Sequence, residues 1–154
     1  MPSDTNNHGT FFGGKLMMYV DNIAAISAMR HARQLVVTAS IDSVDFLRPI
    51  KVGSAVCLEA FVTWAHHTSM EVFVKIITED LMSGERELCT TCFLTFVAMG
   101  DNGKPSEVPL VVAESDEEKL LFSHAEKRYQ QRKLRRQETQ KFVEQVVLSK
   151  PWDK

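Results

Sequence analysis

Long hydrophobic runs, an excess of basic charge and an even set of cysteines are all missing from this chain of 154 residues. No stretch approaches the roughly 18 consecutive apolar residues of a membrane-spanning helix, so we expect no contact with a membrane. The 18 basic residues are outnumbered by 20 acidic ones, which argues against a nucleic-acid-binding protein. Three cysteines, and a start without the pattern of a signal peptide, predict reduced thiols and a cytoplasmic location.

Metal-ligand spacing is also lacking. Cys89 and Cys92 form a C-x-x-C motif, but they lie in a segment with strand character, where their odd spacing predicts opposite faces of the sheet. The five histidines are scattered along the chain. The sequence therefore predicts no metal site and favours small core residues as the role of both cysteines.

The chain does contain one long helical segment followed by four strand-like segments. Residues 15–32 include no proline or glycine, and apolar residues nearly surround the predicted helix, so we expect it to be buried. Segments rich in β-branched and aromatic residues follow at 35–47, 55–64, 69–80 and 87–99. In the second of these, alternation places one set of side chains on one face: Val56, Leu58, Ala60, Val62 and Trp64.

The order of these segments predicts the architecture. Short breaks between the strands imply antiparallel neighbours, and an α+β hot-dog fold, in which the sheet wraps round the long helix, is the economical packing. Residues 116–147 predict a C-terminal helix with a break near 137–140. We expect a hot-dog domain over residues 1–112, and a basic helical extension over 113–154 packed on it. Uncovered strand edges predict a homo-oligomer.

A glycine-rich turn precedes the first helix. Residues 9–16 nearly match a phosphate-binding P-loop, but Leu16 stands where that loop needs a hydroxyl group, and no buried strand comes before it. Gly13 and Gly14 instead allow a ligand to approach the free N–H groups of a helix start. The alternative is a flexible turn without function.

Asp21 is the most informative single residue. A carboxylate about two turns into so apolar a helix is costly to bury unless it is paired, so it either faces solvent or serves chemistry. Asn7 precedes the glycines, and its amide is a candidate for the same site, although an exposed turn residue is the alternative. Among the histidines, His8 alone lies close to the glycines.

The basic residues concentrate in one run, 126–136, with six basic residues against one acidic residue. Such a run is most often a solvated helix face. It also suits RNA, or the phosphates of a bound nucleotide, because guanidinium groups match phosphate geometry. The acidic balance of the whole chain favours the local phosphate site over RNA.

Several blocks together resemble the cytosolic acyl-CoA thioesterase family of the hot-dog fold. They are Asn7-His8, Phe12-Gly13-Gly14, Leu16-Met17 and Asp21, followed by residues 37–40, 68–72, 79–80, 84–86 and 95–98. The resemblance covers residues 7–109 and extends to the basic C-terminal helix. His67 stands where the family more often has glycine.

The resemblance implies residue roles and an assembly. Asn7 and Asp21 correspond to the family's catalytic pair. The implied contacts to acyl-CoA are near Gly14 and at Thr38, Ala39, Ser40, Thr68 and Ser69, with Arg128 at the CoA phosphates. The family also implies a site across a subunit interface and a hexamer built as a trimer of dimers.

This inventory of residues suits thioester hydrolysis. The leaving thiolate, whose acid has a pKa of about 8.5, needs little protonation. Asp21 would activate water or attack the carbonyl itself, and the N–H groups of Gly13 or Gly14 would stabilise the oxyanion. We expect no cofactor and no metal, since coenzyme A is part of the substrate. A dehydratase using His8, a non-catalytic acyl-CoA sensor and an RNA-binding protein are the alternatives.

Overall fold

The computed structural model of the chain describes residues 4–6, 8–150 and 152. Helix α1 comprises Gly13–Ala32 and is followed by four strands, β1 (Leu35–Phe46), β2 (Ala55–His66), β3 (Ser69–Glu79) and β4 (Arg86–Met99). Two further helices, α2 (Asp116–Ser123) and α3 (Ala125–Val143), complete the order of elements. The strand bounds lie within two residues of the predicted ones.

The four strands form one antiparallel sheet in the order β1-β4-β3-β2, with α1 on one face. The buried side chains of α1 recur at every fourth residue and form one stripe along the helix: Leu16, Val20, Ala24, Ala28 and Ala32. Valines, leucine and phenylalanine of β3 and β4 complete this core. The predicted α+β hot-dog architecture is therefore confirmed.

The prediction that α1 is buried holds for only one side of the helix. Met18 is 50% exposed and Tyr19 is 42% exposed, while Ile26 and Met29 are also open to solvent. The reason is geometric, because a four-stranded sheet covers one side of a helix and leaves the other side open.

Single residues inserted into two strands make two predictions wrong about which face of the sheet a side chain occupies. In β2 the pairing passes from Val62 to Trp64, which leaves Thr63 as an inserted residue and places Trp64 against Tyr129 of α3. Trp64 therefore does not share a face with Val62. In β4 the inserted residue is Cys89, so Cys89 and Cys92 both enter the core beside α1 rather than opposite faces.

The C-terminal extension covers the outer face of the sheet, opposite α1. Its helical break falls at His124 and not at 137–140, because the side chains of Ser123 and His124 both hydrogen-bond the carbonyl of Leu120. Ser115 and Glu118 form a capping box that starts α2. The division at residue 112 stays a prediction.

Within the described part of the chain, no helix combines the length and the apolar character required to span a bilayer.

Candidate active site

Asp21 lies on α1 and is partly buried beside β1. Its Oδ1 accepts a hydrogen bond from Thr38 Oγ1 at 2.8 Å, while no described basic residue forms an ion pair with it. One carboxylate oxygen is thus fixed by a hydroxyl group and the other is left open. This arrangement holds a carboxylate in a defined orientation and keeps its charge available for chemistry.

Helix α1 begins at Gly13 without a side-chain cap. Its N-cap residue is Phe12, whose carbonyl accepts from the N–H groups of Lys15 and Leu16, both at 3.0 Å. The N–H groups of Gly13 and Gly14 donate to no described residue. Two free donors at the positive end of a 20-residue helix suit a developing negative charge.

Phe12 packs closely on Gly14. A Cβ atom at this position would lie 2.8 Å from Cε1 of Phe12, whereas one at Gly13 would meet Phe46 at an ordinary 3.6 Å. The side chain of Phe12 thus covers Gly14 closely. The surface at Gly13 has more room for a ligand.

Asn7 lies outside the described residues. Its neighbour Asn6, which sequence reasoning missed, organises the turn before α1. Asn6 Nδ2 donates to Thr10 Oγ1 at 2.8 Å, and its Oδ1 accepts from the N–H groups of His8 and Thr10 at 2.9 and 3.2 Å. An asparagine three residues before a glycine is a turn signal that could have identified it, since Gly9 adopts a φ of 72°.

Thr38, Ala39 and Ser40 occupy edge strand β1 but do not share one face. Thr38 pairs with Phe96 and Ser40 pairs with Thr95, so Ala39 is an inserted residue. Thr38 therefore reaches Asp21 on the α1 side, while Ser40 faces α3. The predicted CoA-binding segment wraps round the open edge of the sheet.

A cavity of about 200 Å³ lies between the outer face of the sheet and α3. It includes two of the predicted contacts, Ser40 and Ser69, together with these residues: Thr95, Val97, Tyr129, Arg132, Lys133, Arg136, Gln137 and Gln140. Thr68 lies in the preceding turn, where its carbonyl accepts from Ala98 N–H, and it does not line the cavity. We call this space the α3 cavity.

Arg128 is engaged within the chain. Its guanidinium donates from Nε and Nη2 to the carboxylate of Glu71, at 3.0 and 2.7 Å, and from Nη2 to the carbonyl of Leu121 at 2.6 Å. These contacts hold α3 on the sheet. Lys133 and Arg136 line the α3 cavity and form no ion pair with any described residue. The geometry therefore favours these two residues over Arg128 for a phosphate.

The described residues contain no cluster of three histidine, cysteine, aspartate or glutamate side chains placed to hold a metal ion. Cys89 Sγ lies 3.2 Å from Thr78 Oγ1 in the core, and the three described cysteines are all free thiols.

Residues 8–85 match the thioesterase superfamily. An uncharacterized acyl-CoA thioester hydrolase of Bacillus subtilis is 57% identical over 98% of this chain and 88% of its own length. An acyl-CoA hydrolase of Staphylococcus aureus, solved with butyryl coenzyme A and coenzyme A, is 49% identical, with a TM-score of 0.91 over 94% of this chain and 88% of that one. A hexameric acyl-CoA thioesterase is 52% identical, with a TM-score of 0.84 over 88% of this chain and 86% of that one.

The Staphylococcus aureus protein has also been solved with single replacements of an asparagine, an aspartate and a threonine by alanine. In that protein the asparagine precedes the aspartate by 15 positions, and the threonine follows it by 17. Here Thr38 follows Asp21 by 17 positions and Asn6 precedes it by 15, whereas Asn7 precedes it by 14.

Proposed function

Because the chain belongs to the thioesterase superfamily and has its hot-dog fold, we propose that it hydrolyses acyl-CoA thioesters to a carboxylic acid and coenzyme A. The observation that carries this proposal is Asp21 held by Thr38 on the α1 side of an open sheet edge. The free N–H groups at the start of α1 supply the donors that such a reaction needs.

In this proposal Asp21 is the catalytic base or nucleophile. Thr38 holds Oδ1, so that Oδ2 either removes a proton from water or attacks the thioester carbonyl to form a transient anhydride. Helix α1 rises about 1.5 Å per residue, so Gly13 and Gly14 lie about 10–12 Å from Asp21 of the same chain. The Gly13 and Gly14 N–H groups that stabilise the oxyanion in both routes therefore come from the partner subunit. The thiolate leaves with little need for an acid, either after water has added to the carbonyl or as the anhydride forms, and in the second route water then hydrolyses the anhydride to the carboxylic acid and free Asp21.

We expect an asparagine beside Asp21, and two residues are candidates. Asn7 is the residue that the resemblance implies. Asn6 has the spacing of the asparagine in the Staphylococcus aureus protein, and its side chain holds the turn that presents Gly13. Separate Asn6→Ala and Asn7→Ala variants decide between them. Replacement of the asparagine that acts in the reaction should lower kcat and leave KM unchanged.

The bound CoA follows the edge of the sheet. The thioester lies on the α1 side at Asp21, the pantetheine arm passes over Thr38, Ala39 and Ser40, and the nucleotide enters the α3 cavity. There Ser69 lines the cavity, with Thr68 in the turn just before it, and Lys133 and Arg136 contact the phosphates. Arg128 remains the alternative phosphate contact.

The protein acts as a cytoplasmic homo-oligomer in this proposal, as a trimer of dimers with Asp21 of one subunit beside the asparagine of its partner. Edge strand β1 supports such an assembly, because Leu35, Val37 and Ile41 are exposed along it. Mixing inactive Asn6→Ala protein, or Asn7→Ala protein, with Asp21→Ala protein tests the shared site. Subunit exchange should restore part of the activity, and verified exchange without recovery would contradict the shared site.

The decisive experiment measures thiol release from a panel of acyl-CoA esters before and after EDTA treatment. Wild-type protein should be active in both conditions, while Asp21→Ala and Asp21→Asn should lose at least about 100-fold in kcat. CoA binding should persist in both variants. Binding without turnover in the wild type would indicate an acyl-CoA sensor instead, and activity that requires added zinc would contradict the metal-free reaction.

A further inference from the structure

Asp42 is a buried carboxylate that the reaction described above does not use. It is one of the inserted residues of β1, and its side chain is 8% exposed. Oδ1 accepts from Ser40 Oγ at 2.7 Å, and Oδ2 accepts from Thr95 Oγ1 at 2.9 Å. Arg135 Nη2 donates to Oδ1 at 2.5 Å, and Arg132 Nε lies 3.6 Å from Oδ2. Each carboxylate oxygen therefore faces one hydroxyl group and one guanidinium group.

Three of these four partners line the α3 cavity, and they come from three different elements. Ser40 belongs to β1, Thr95 to β4 and Arg132 to α3. Asp42 itself is not among the residues that line the cavity. Each hydroxyl group donates its single hydrogen to the carboxylate, which fixes the orientation of that group. One side chain behind the wall thus sets the positions of groups on three parts of the wall.

Holding α3 on the sheet does not account for Asp42. Glu71 already pairs with Arg128 and Arg132 of that helix. A second buried carboxylate adds little net stability, because the cost of its desolvation offsets most of the attraction between the charges. It does restrict the surrounding side chains to one arrangement, and a preorganised site loses less conformational freedom when a ligand binds.

We propose that Asp42 is a positioning residue for coenzyme A, which acts by holding Ser40, Thr95 and Arg132 in the arrangement that receives the nucleotide end of the substrate. The inference rests on the proposed function, in which the nucleotide enters the α3 cavity. In this role Asp42 touches neither the thioester nor Asp21. It therefore lowers KM without a part in the chemical step.

The charge of Asp42 is balanced by two guanidinium groups, so its repulsion of the phosphates is small. In an Asp42→Asn variant Arg132 still pairs with Glu71, while Arg135 is 44% exposed and lies outside the α3 cavity. The variant therefore adds little positive potential where the phosphates bind, because solvent and salt screen the charge of Arg135. Loss of the fixed arrangement is the larger effect.

The test compares two thioesters that differ in whether they carry the nucleotide. Butyryl-CoA reaches the α3 cavity in the proposed pose, whereas S-butyryl-N-acetylcysteamine has the same thioester and ends well before the nucleotide. Asp42→Asn should raise KM for butyryl-CoA by about threefold to tenfold, the range of one hydrogen bond, at an unchanged kcat. Its kcat/KM for the truncated ester should stay at the wild-type value. General damage to the fold would lower the activity with both esters.

Asp45→Asn is the matched control. Asp45 lies three positions further along β1, is exposed and forms no ion pair with a described residue. The control variant therefore changes the net charge equally, and it should leave the kinetics with both esters unaffected. Ser40→Ala removes one of the positioned hydroxyl groups and keeps the ion pairs of Asp42. It should also raise KM for butyryl-CoA, which decides the inference if Asp42→Asn does not fold.

The outcomes separate the inference from the proposed function. An unchanged or lower KM for butyryl-CoA in Asp42→Asn, or equal losses with the two esters, would overturn the role of Asp42 while the thioesterase activity stands. If Asp42→Asn does not fold, an unchanged KM in Ser40→Ala would overturn it. No thiol release from either ester by the wild-type protein would overturn the proposed function and this inference with it.

Discussion

Glu71 provides the sharpest test of how the C-terminal extension is held. Its side chain is completely buried on β3, where its carboxylate accepts from Thr63 Oγ1 at 2.6 Å, from Arg128 and from Arg132. We expect Glu71→Gln to keep the shape of the side chain and remove its charge. Two guanidinium groups then face a neutral amide in a site that water does not reach freely.

The cost can be worked out from burial. Removing one partner from a buried ion pair destabilises a protein by about 3–5 kcal/mol. The side chains of Arg128 and Arg132 retain 20% and 11% exposure, so part of their charge is solvated, and we expect the lower end, about 3 kcal/mol. At about 2–4 °C per kcal/mol for a domain of this size, Tm should fall by about 6–12 °C.

The matched control makes the same change on the surface. Glu117 forms an ion pair with Lys75 at 2.7 Å and is 46% exposed, so Glu117→Gln should cost less than about 1 kcal/mol. Both variants are unfolded in urea at one protein concentration, because the stability of an oligomer depends on concentration. Equal small losses in the two variants would refute the idea that Glu71 anchors α3.

A further variant separates charge from packing. Replacing Glu71, Arg128 and Arg132 together by apolar residues of similar volume should restore most of the stability that Glu71→Gln loses, because buried ion pairs gain little over apolar packing. Failure of the triple variant to recover would mean that the hydrogen bonds to Thr63 and Leu121 carry the effect.

Three other predictions concern single side chains. Burial, with the charges of Asp42 and Asp45, raises the pKa of Cys92 to about 12, so a thiol reagent at pH 8 should modify Cys57 and spare Cys92 until denaturant is added. Because the pKa of this thiol in the folded protein lies above the ordinary 9.0, its contribution to the free energy of unfolding is fully present below pH 9 and is lost between pH 9 and 12. Unfolding titrations at alkaline pH should show this loss. His67 has a φ of 49°, so His67→Gly should gain about 1 kcal/mol in urea unfolding relative to His67→Ala. Lys133→Ala and Arg136→Ala should each raise KM for acyl-CoA at an unchanged kcat, and an unchanged KM in both would place the phosphates elsewhere.

Most of the fold was predictable because the sequence patterns of its helices and strands are long and independent of one another. An 18-residue run without glycine or proline and four strand-like segments leave few alternatives to a sheet against a helix. Asp21 stands out in the sequence too, because a carboxylate is conspicuous among apolar neighbours, and its catalytic role stays a prediction. Glu71 was not, since one acidic residue in a strand normally indicates a solvent-exposed face, and its partners lie 57 and 61 positions away.

The remaining errors share one cause, which is the insertion of single residues into strands. Alternation assigns faces correctly only between such insertions, because each one reverses the assignment for every residue beyond it. The inserted residues are Ala39, Asp42, Thr63 and Cys89, and none is a glycine that would have marked the position.

These insertions also determine which side chains meet at the candidate site. Ala39 places Thr38 beside Asp21 and Ser40 beside the α3 cavity, and the inserted Cys89 itself enters the core beside α1. The geometry of the candidate site therefore depends on a position where the regular pattern of β1 is interrupted.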